Sequence, residues 1–250
     1  MTRKKVIVAN WKMYKTPPEA KKFVEEFLPL VAGHTRDEIV LCPPFLDLST
    51  LACALYEKGI GIGAQDMHWE REGAFTGEIS GLMLKAVGCT HVIVGHSERR
   101  QYFGDTDDSV NRKLHAAIAA GLTAIVCFGE LPEEREAGIT DDVLRRQVSI
   151  ALREISAKDA GKFVIAYEPV WAIGTGKTAT PALAADAHRT LRAQVAQAMG
   201  EEAARSMRIL YGGSVKPENA TSLMSEAEID GALVGGASLD PESFARIVKY

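Results

Sequence analysis

Eight short apolar runs, at 5–9, 38–42, 61–65, 91–95, 123–128, 163–167, 208–211 and 231–234, recur along the chain with longer amphipathic segments between them. Runs of this length suit strands buried on both faces, the condition of strands in a parallel sheet. The segments between them carry helix punctuation. Thr16-Pro17-Pro18-Glu19 combines a capping threonine, proline at the first helical position and glutamate at the third. Thr180-Pro181 and Asp240-Pro241 repeat the cap-then-proline signal, and Gly200 stands where the alanine-rich helix that begins at Pro181 should end. Strand then helix, eight times over, predicts parallel strands joined by helical crossovers. An open doubly wound sheet alternates in the same way, and periodicity alone does not separate it from a closed barrel.

The placement of reactive residues separates them. In a (β/α)8 barrel, sites are built from the loops at the strands' carboxyl ends, so chemistry-bearing groups should follow several different strands. Here Asn10 and Lys12 follow the first run, His96 the fourth, Glu168 the sixth, Gly212-Gly213-Ser214 the seventh and Gly235-Gly236 the eighth. The chain has 250 residues, 46% of them apolar, and no Ser/Gly linker or composition break divides it. The expectation is a single-domain α/β fold, one (β/α)8 barrel spanning 1–250.

Several function classes are excluded at this stage. A formal net charge of −4 predicts neither a nucleic-acid nor an anionic-membrane surface, because such surfaces need clustered Lys and Arg. A small anionic ligand needs only local positive potential and stays open. Arg3-Lys4-Lys5 precedes an apolar run that Asn10-Trp11-Lys12 cuts too short for a signal peptide, and no stretch is apolar enough to span a bilayer. Cys42, Cys53, Cys89 and Cys127 are scattered without metal-type spacing and read as reduced thiols of a cytoplasmic protein. The G-x-G-x-x-A string at 59–64 leads into a strand, where a dinucleotide fingerprint must leave one. Gly176-Lys177-Thr178 resembles the end of a P-loop, yet Trp171 occupies the place of its first glycine. Neither string supports a nucleotide cofactor.

The stretch from Phe163 to Gly176 carries the strongest chemical signal. Its apolar run stops at Glu168-Pro169, and proline has no N–H for a sheet ladder, so Glu168 should stand at a strand's carboxyl end. Pro169, Val170, Trp171, Ala172, Ile173, Gly174, Thr175 and Gly176 then pass from apolar to glycine-rich, a composition for a lid that excludes water and moves at its glycine end.

Six motifs, in order, give the chain a family resemblance. Asn10-Trp11-Lys12-Met13, the run 73–78 (GAFTGE), Val94-Gly95-His96-Ser97-Glu98-Arg99-Arg100, the stretch just described, Tyr211-Gly212-Gly213-Ser214-Val215 and the run 233–239 (LVGGASL) together resemble the triosephosphate isomerases over nearly the whole chain. The resemblance implies a barrel that interconverts dihydroxyacetone phosphate and D-glyceraldehyde 3-phosphate through an enediolate, a step of glycolysis and gluconeogenesis, without cofactor or metal. It implies a phosphorylated three-carbon substrate and a homodimer as partners.

Roles follow from the same resemblance, residue by residue. Glu168 is the expected base, its carboxyl raised toward neutrality by burial beneath Ile173 and Leu233. His96 opens a helical turn, and a helix amino terminus disfavours imidazolium, so a neutral ring donates to the developing oxyanion, the pattern established for this family. Lys12 supplies fixed positive charge with Asn10 as polar partner, Glu98 supports the Lys12 and His96 region, and Cys127 is a thiol near the base. Phosphate falls to Gly174, Ser214, Gly235 and Gly236, where glycine lets backbone N–H groups approach a dianion. Trp171 is expected to exchange Tyr167 for Glu130 as the lid closes, with Tyr211 and Ser214 latching its far end near Ala179 and Gly176. Thr76 is the expected dimer contact, placed beside the partner's copy of the Asn10 and Lys12 region. His34, His68, His91, His115 and His188 lack comparable context and read as ordinary packed or surface histidines.

Two departures touch the edges of the pattern. Tyr14-Lys15-Thr16-Pro17 lies beyond Lys12 and should leave chemistry alone, whereas Trp69 and Arg71 fall in the segment expected at the dimer contact. An aldolase-type barrel would want a Schiff-base lysine at a strand end, and the fourth to eighth runs offer none. A phosphate-binding module without catalysis would lack Glu168 or His96.

Overall fold

The computed structural model of the protein describes residues 3–172 and 179–250. Its strands are β1 (Val6–Asn10), β2 (Glu38–Cys42), β3 (Gly61–Ala64), β4 (His91–Val94), β5 (Thr123–Phe128), β6 (Phe163–Tyr167), β7 (Ile209–Tyr211) and β8 (Gly231–Val234). Each pairs in parallel with the next, and β1 pairs with β8 through the register Val6↔Gly231 to Ala9↔Val234, so the sheet closes on itself. The closed barrel, not the open sheet, is the architecture. Strand limits differ from the sequence expectation by one residue at most.

The helical punctuation works locally as its chemistry requires. The helix Pro17–Leu30 starts after Thr16, whose N–H and hydroxyl both donate to the Glu19 carboxylate at 2.8 and 2.7 Å. Thr180 and Asp240 accept the N–H groups of Leu183 and Ser243 at the starts of Pro181–Met199 and Pro241–Val248. Gly200 ends the long helix with φ of 90°, a conformation that favours glycine.

Two apolar layers share the strands by alternation. Val6, Val8, Val40, Ile93, Ile125, Val164, Leu210 and Leu233 fill the barrel interior, while Ile7, Ala9 and their counterparts face the helices, against Phe23, Phe27 and Phe244. Burying a Val, Leu, Ile or Phe side chain contributes about 1.5–3 kcal/mol, so the two layers hold the strand ends rigidly. β3 presents Gly61 and Gly63 inward, since a Cβ on Gly63 would come to 2.5 Å of the Cys42 sulfur. Cys42 and His91 fill that space instead.

Candidate active site

The carboxyl ends of β1, β4, β6, β7 and β8 bring the expected residues together. Asn10 closes β1 and is buried, and its side chain accepts the Lys12 N–H at 3.0 Å. Lys12 holds φ at 53°, a left-handed conformation that costs a lysine about 1 kcal/mol or more. Gln65 supports that turn by donating to the Lys12 carbonyl at 2.8 Å and to the Cys42 carbonyl at 2.9 Å. The Lys12 ammonium, so aimed, pairs with Glu98 Oε1 at 2.5 Å.

His96 caps the short helix Ser97–Tyr102, and its Nδ1 accepts the Glu98 N–H at 3.2 Å. A protonated Nδ1 could not accept that bond, so the ring carries its proton on Nε2. Nε2 faces Glu168 Oε1 at 2.9 Å. Glu168 stands directly after β6, 2% exposed, and also receives the Ser97 N–H at 2.9 Å and the Ser97 hydroxyl at 3.2 Å. Gly129 permits this seat, because a Cβ there would collide with the Glu168 carbonyl.

The electrostatics of the pair depart from expectation in one respect. Burial pushes the Glu168 carboxyl up, but His96 and the two Ser97 donors outweigh it and hold it below the ordinary carboxylate range. Resting on these donors, Glu168 is a weaker base than burial alone would make it. Burial works against an imidazolium at His96, while the charges of Glu168 and then Glu98 work for one and shift the balance upward. The Glu98 N–H decides the form: a backbone donor aimed at Nδ1 keeps the ring neutral. Burial first, and the Glu168 charge second, push the Cys127 thiol up, so Cys127 packs beside the base as an un-ionised thiol.

Asn10, Lys12, His96 and Glu168 line a cavity of about 260 Å³ whose other wall is Ser214, Gly235 and Gly236. Gly236 begins a 3-10 turn, Gly236–Ser238, and a Cβ on it would meet nothing within 4 Å, so its peptide edge is unshielded. Peptide N–H groups at such a turn attract an anion, and Lys12 lies close by, its Cε 3.3 Å from where a Gly235 Cβ would stand. A larger cleft of about 820 Å³ lies behind Glu168, reaching from Ser97 and Cys127 to Glu133 and Arg146. It lacks His96 and the glycine turns, so the smaller cavity is where donor, carboxylate and anion seat converge. Among the described residues no group of three or more His, Cys, Asp or Glu side chains is arranged to hold a metal ion.

The flank of the site joins β5 and β6. Glu130, fully buried, accepts the Tyr167 hydroxyl at 3.0 Å and the Trp171 indole N–H at 2.9 Å. Both expected partners of Trp171 are therefore in one cluster, with Glu130 as its acceptor. Val170 and Ala172 belong to a 3-10 turn, Val170–Ala172, after Pro169. The Tyr211 phenol is buried; burial pushes it up to about 12 while the Ala179 backbone pulls it back, and it forms no well-shaped hydrogen bond among the described residues. Ile173, Gly174, Thr175 and Gly176 lie outside the described residues. Leu233, the other half of the expected cover, is buried in the barrel interior.

Thr76 lies away from the cavity on an exposed stretch after β3. At the base of that stretch Phe75, His68 and Trp69 stack with centroids 4.5 and 4.3 Å apart, and Arg112 lies 5.4 Å over Trp69. Trp69 is thus a brace for the projecting loop, while Arg71 is exposed. Lys15, the other departure, lies over Trp11 and Phe23 and donates to the Leu239 carbonyl at 2.8 Å, away from the reactive atoms.

Two contributors had no assigned role in the sequence. Ser97 was legible, since the first residues of a helix offer uncommitted N–H groups and Ser97 follows a histidine at such a start. Gln65 was not, because its contacts join residues far apart in the chain.

Comparison with known proteins points to one family. The family model described as Triosephosphate isomerase matches residues 5–250. A protein of Solibacter usitatus named triosephosphate isomerase is 56% identical over 248 residues, which is 99% of this chain and 100% of that relative. Another of that name, from Geobacter metallireducens, is 55% identical over 248 residues and 99% of each chain, and one from Caldanaerobacter subterraneus is 52% identical over 99% of this chain and 100% of its own length.

Proposed function

The chain belongs to the triosephosphate isomerase family, and from that premise we propose how its residues carry the interconversion of dihydroxyacetone phosphate and D-glyceraldehyde 3-phosphate. The substrate phosphate sits against Ser214, Gly235 and Gly236, with Gly174 as the further contact the resemblance implies. Its carbonyl oxygen lies between His96 Nε2–H and the Lys12 ammonium, with Asn10 holding Lys12 in place and Glu98 balancing its charge. Glu168 leaves Ser97, takes the proton from the carbon beside the carbonyl, and the electron pair moves onto oxygen as an enediolate. His96 and Lys12 stabilise that oxyanion, the hydroxyl proton on the first carbon's oxygen passes across to the former carbonyl oxygen, and the protonated Glu168 returns a proton to the neighbouring carbon.

The observation that carries this reading is the 2.9 Å contact between Glu168 and a His96 whose Nε2 bears the proton, in the cavity that also holds Lys12. The donors that hold Glu168 acidic at rest are ones a substrate replaces. Trading Ser97 and His96 for a C–H leaves burial as the dominant influence, and basicity rises when it is needed. In a coupled isomerisation assay, Glu168→Asp withdraws the carboxylate by one methylene and should lower kcat about a hundredfold with KM nearly unchanged. Wild-type turnover by that variant would remove Glu168 from the role.

The same reading extends to assembly and setting: one catalytic domain over 1–250, acting as a cytoplasmic homodimer. Large apolar side chains are exposed in the segments that follow the first, second and fourth strands, with Met13 94%, Leu46 60%, Tyr102 67% and Phe103 67% exposed. Thr76 is exposed on the loop after β3 that Trp69 braces. Sedimentation should show a dimer at assay concentration, and a fully active monomer would contradict it. Four free cysteines suit a reducing compartment, and among the described residues no helix is long and apolar enough to cross a membrane.

A further inference from the structure

Both flanks of Glu168 are tied to one buried carboxylate. Tyr167, the residue before it, donates its hydroxyl to Glu130, and Trp171, three residues after it, donates its indole N–H to the same side chain. The Val170 N–H adds a bond to the Glu130 carbonyl at 3.3 Å. Glu130 therefore sets where the chain enters and leaves the base. Arg135, on the helix Pro132–Glu136, is the one cation paired with Glu130 among the described residues, its guanidinium 3.5 Å from Oε1. The same guanidinium lies 5.2 Å over the Trp171 ring, within cation–π range.

The geometry points to Arg135 as a positioning residue for the isomerisation: by pairing with Glu130 and covering Trp171, it fixes segment 169–172 and so the placement of Glu168. The inference rests on the reading of Glu168 as base. Its physical basis is a count of acceptors. An ionised carboxylate accepts both the phenol and the indole, whereas a protonated one has spent an oxygen on its own O–H and accepts less well. Burial already pushes the Glu130 carboxyl up, with its own backbone N–H first, then the Trp171 and Tyr167 donors and last Arg135 pulling it back. Among the described residues the His188 ring lies 5.9 Å from Tyr167 between centroids and Tyr211 is near, neither of them a fixed charge. Removing Arg135 leaves a buried carboxylate with neutral donors, and such a group takes up a proton nearer neutral pH.

The test compares Arg135→Ala, Arg135→Lys, Glu130→Gln and the Arg135→Ala/Glu130→Gln pair, measuring kcat against pH and competitive inhibition by inorganic phosphate. Arg135→Ala should lower kcat about tenfold through misplacement of the base, with phosphate inhibition changed by less than about twofold. Its acid limb in kcat should move toward neutral pH, and Arg135→Lys, which restores the charge without the flat stack, should return the limb while recovering part of kcat. In the Glu130→Gln background the same alanine change should cost less than about twofold, because the two residues act through one contact. A tenfold cost that persists in that background, or Arg135→Ala with wild-type kcat and pH profile, overturns the inference. If Arg135→Ala fails to fold, Arg135→Gln removes the charge while keeping a planar group over Trp171, and the same outcomes decide. Glu168→Gln run in parallel separates the premises: full activity there defeats the base itself, whatever Arg135 does.

Discussion

Strand β4 has a histidine at each mouth of the barrel, and each meets a glutamate. His91 opens the strand and places Nε2 3.2 Å from Glu38 Oε1; His96 stands just past its end and places Nε2 2.9 Å from Glu168 Oε1. Both rings are buried. At the amino-terminal mouth every group is spoken for: Glu38 also takes the Arg208 guanidinium at 2.7 Å, and His91 Nδ1 meets the Thr90 hydroxyl at 2.8 Å. The His91 hydrogen bond, then Arg208, outweigh burial and drop the Glu38 carboxyl to about 2. At the carboxyl-terminal mouth the glutamate's other partners are a backbone N–H and a hydroxyl, and a cavity with Lys12 lies alongside. A His–Glu contact thus makes a site only where its partners are replaceable and space adjoins it. The amino-terminal pair is a rivet.

Matched substitutions at the two mouths separate catalysis from riveting. The largest effect belongs to Glu168→Gln, which removes a proton acceptor and should lower kcat by about a thousandfold with melting temperature unchanged or raised. Glu38→Gln measured beside it should leave kcat within about twofold, and a large loss there would break the contrast. Next comes His96→Gln, expected to cost about a hundredfold in kcat as an oxyanion donor is lost, against less than about twofold for His91→Gln.

The rivet shows itself in stability instead. Glu38 titrates near 2 when folded and near its ordinary 4.5 when unfolded, so its contribution is complete above pH 4.5 and is lost as pH falls toward 2. With the side chain 32% exposed, solvent screening reduces that contribution to about 1–2 kcal/mol. Urea unfolding should find Glu38→Gln less stable than wild type by that amount at pH 7, with the gap closing between pH 4.5 and 2. A gap independent of pH would deny Glu38 the linkage. The smallest effect is Ser97→Ala: the backbone N–H still holds Glu168, so kcat should change less than about threefold. Because the lost hydroxyl had stabilised the carboxylate, the acid limb of kcat/KM should shift to higher pH, and a shift downward would contradict the seat described.

Sequence and structure divide the explanation unevenly. The eight runs located every strand because each is buried on both faces and bounded by residues that cannot continue it. Closure was not in the periodicity. The pointer to it was Asn10, His96, Glu168, Ser214 and Gly235 each following a different run, which a barrel brings to one mouth, and the β1–β8 pairing shows it. Residue type could not tell His96 from His91; the Ser97-Glu98 helix start could, since it supplies the N–H that fixes the ring's proton. What stayed hidden was contact across elements. Gln65 beneath Lys12 and Arg135 over Trp171 depend on loops meeting in space, and the lowered carboxyl of Glu168 depends on donors 71 residues away. Burial alone, the part readable from an apolar lid, gave the opposite direction.

In the proposed reaction one carboxylate, Glu168, moves the proton between neighbouring carbons. Turnover of dihydroxyacetone phosphate in deuterium oxide, stopped at partial conversion and read by NMR, decides whether it does. Deuterium is expected at C2 of the glyceraldehyde 3-phosphate formed, because the carboxylic acid exchanges with solvent during the lifetime of the enediolate. Product in which the substrate's own hydrogen has crossed undiluted, as in a hydride shift, would contradict it.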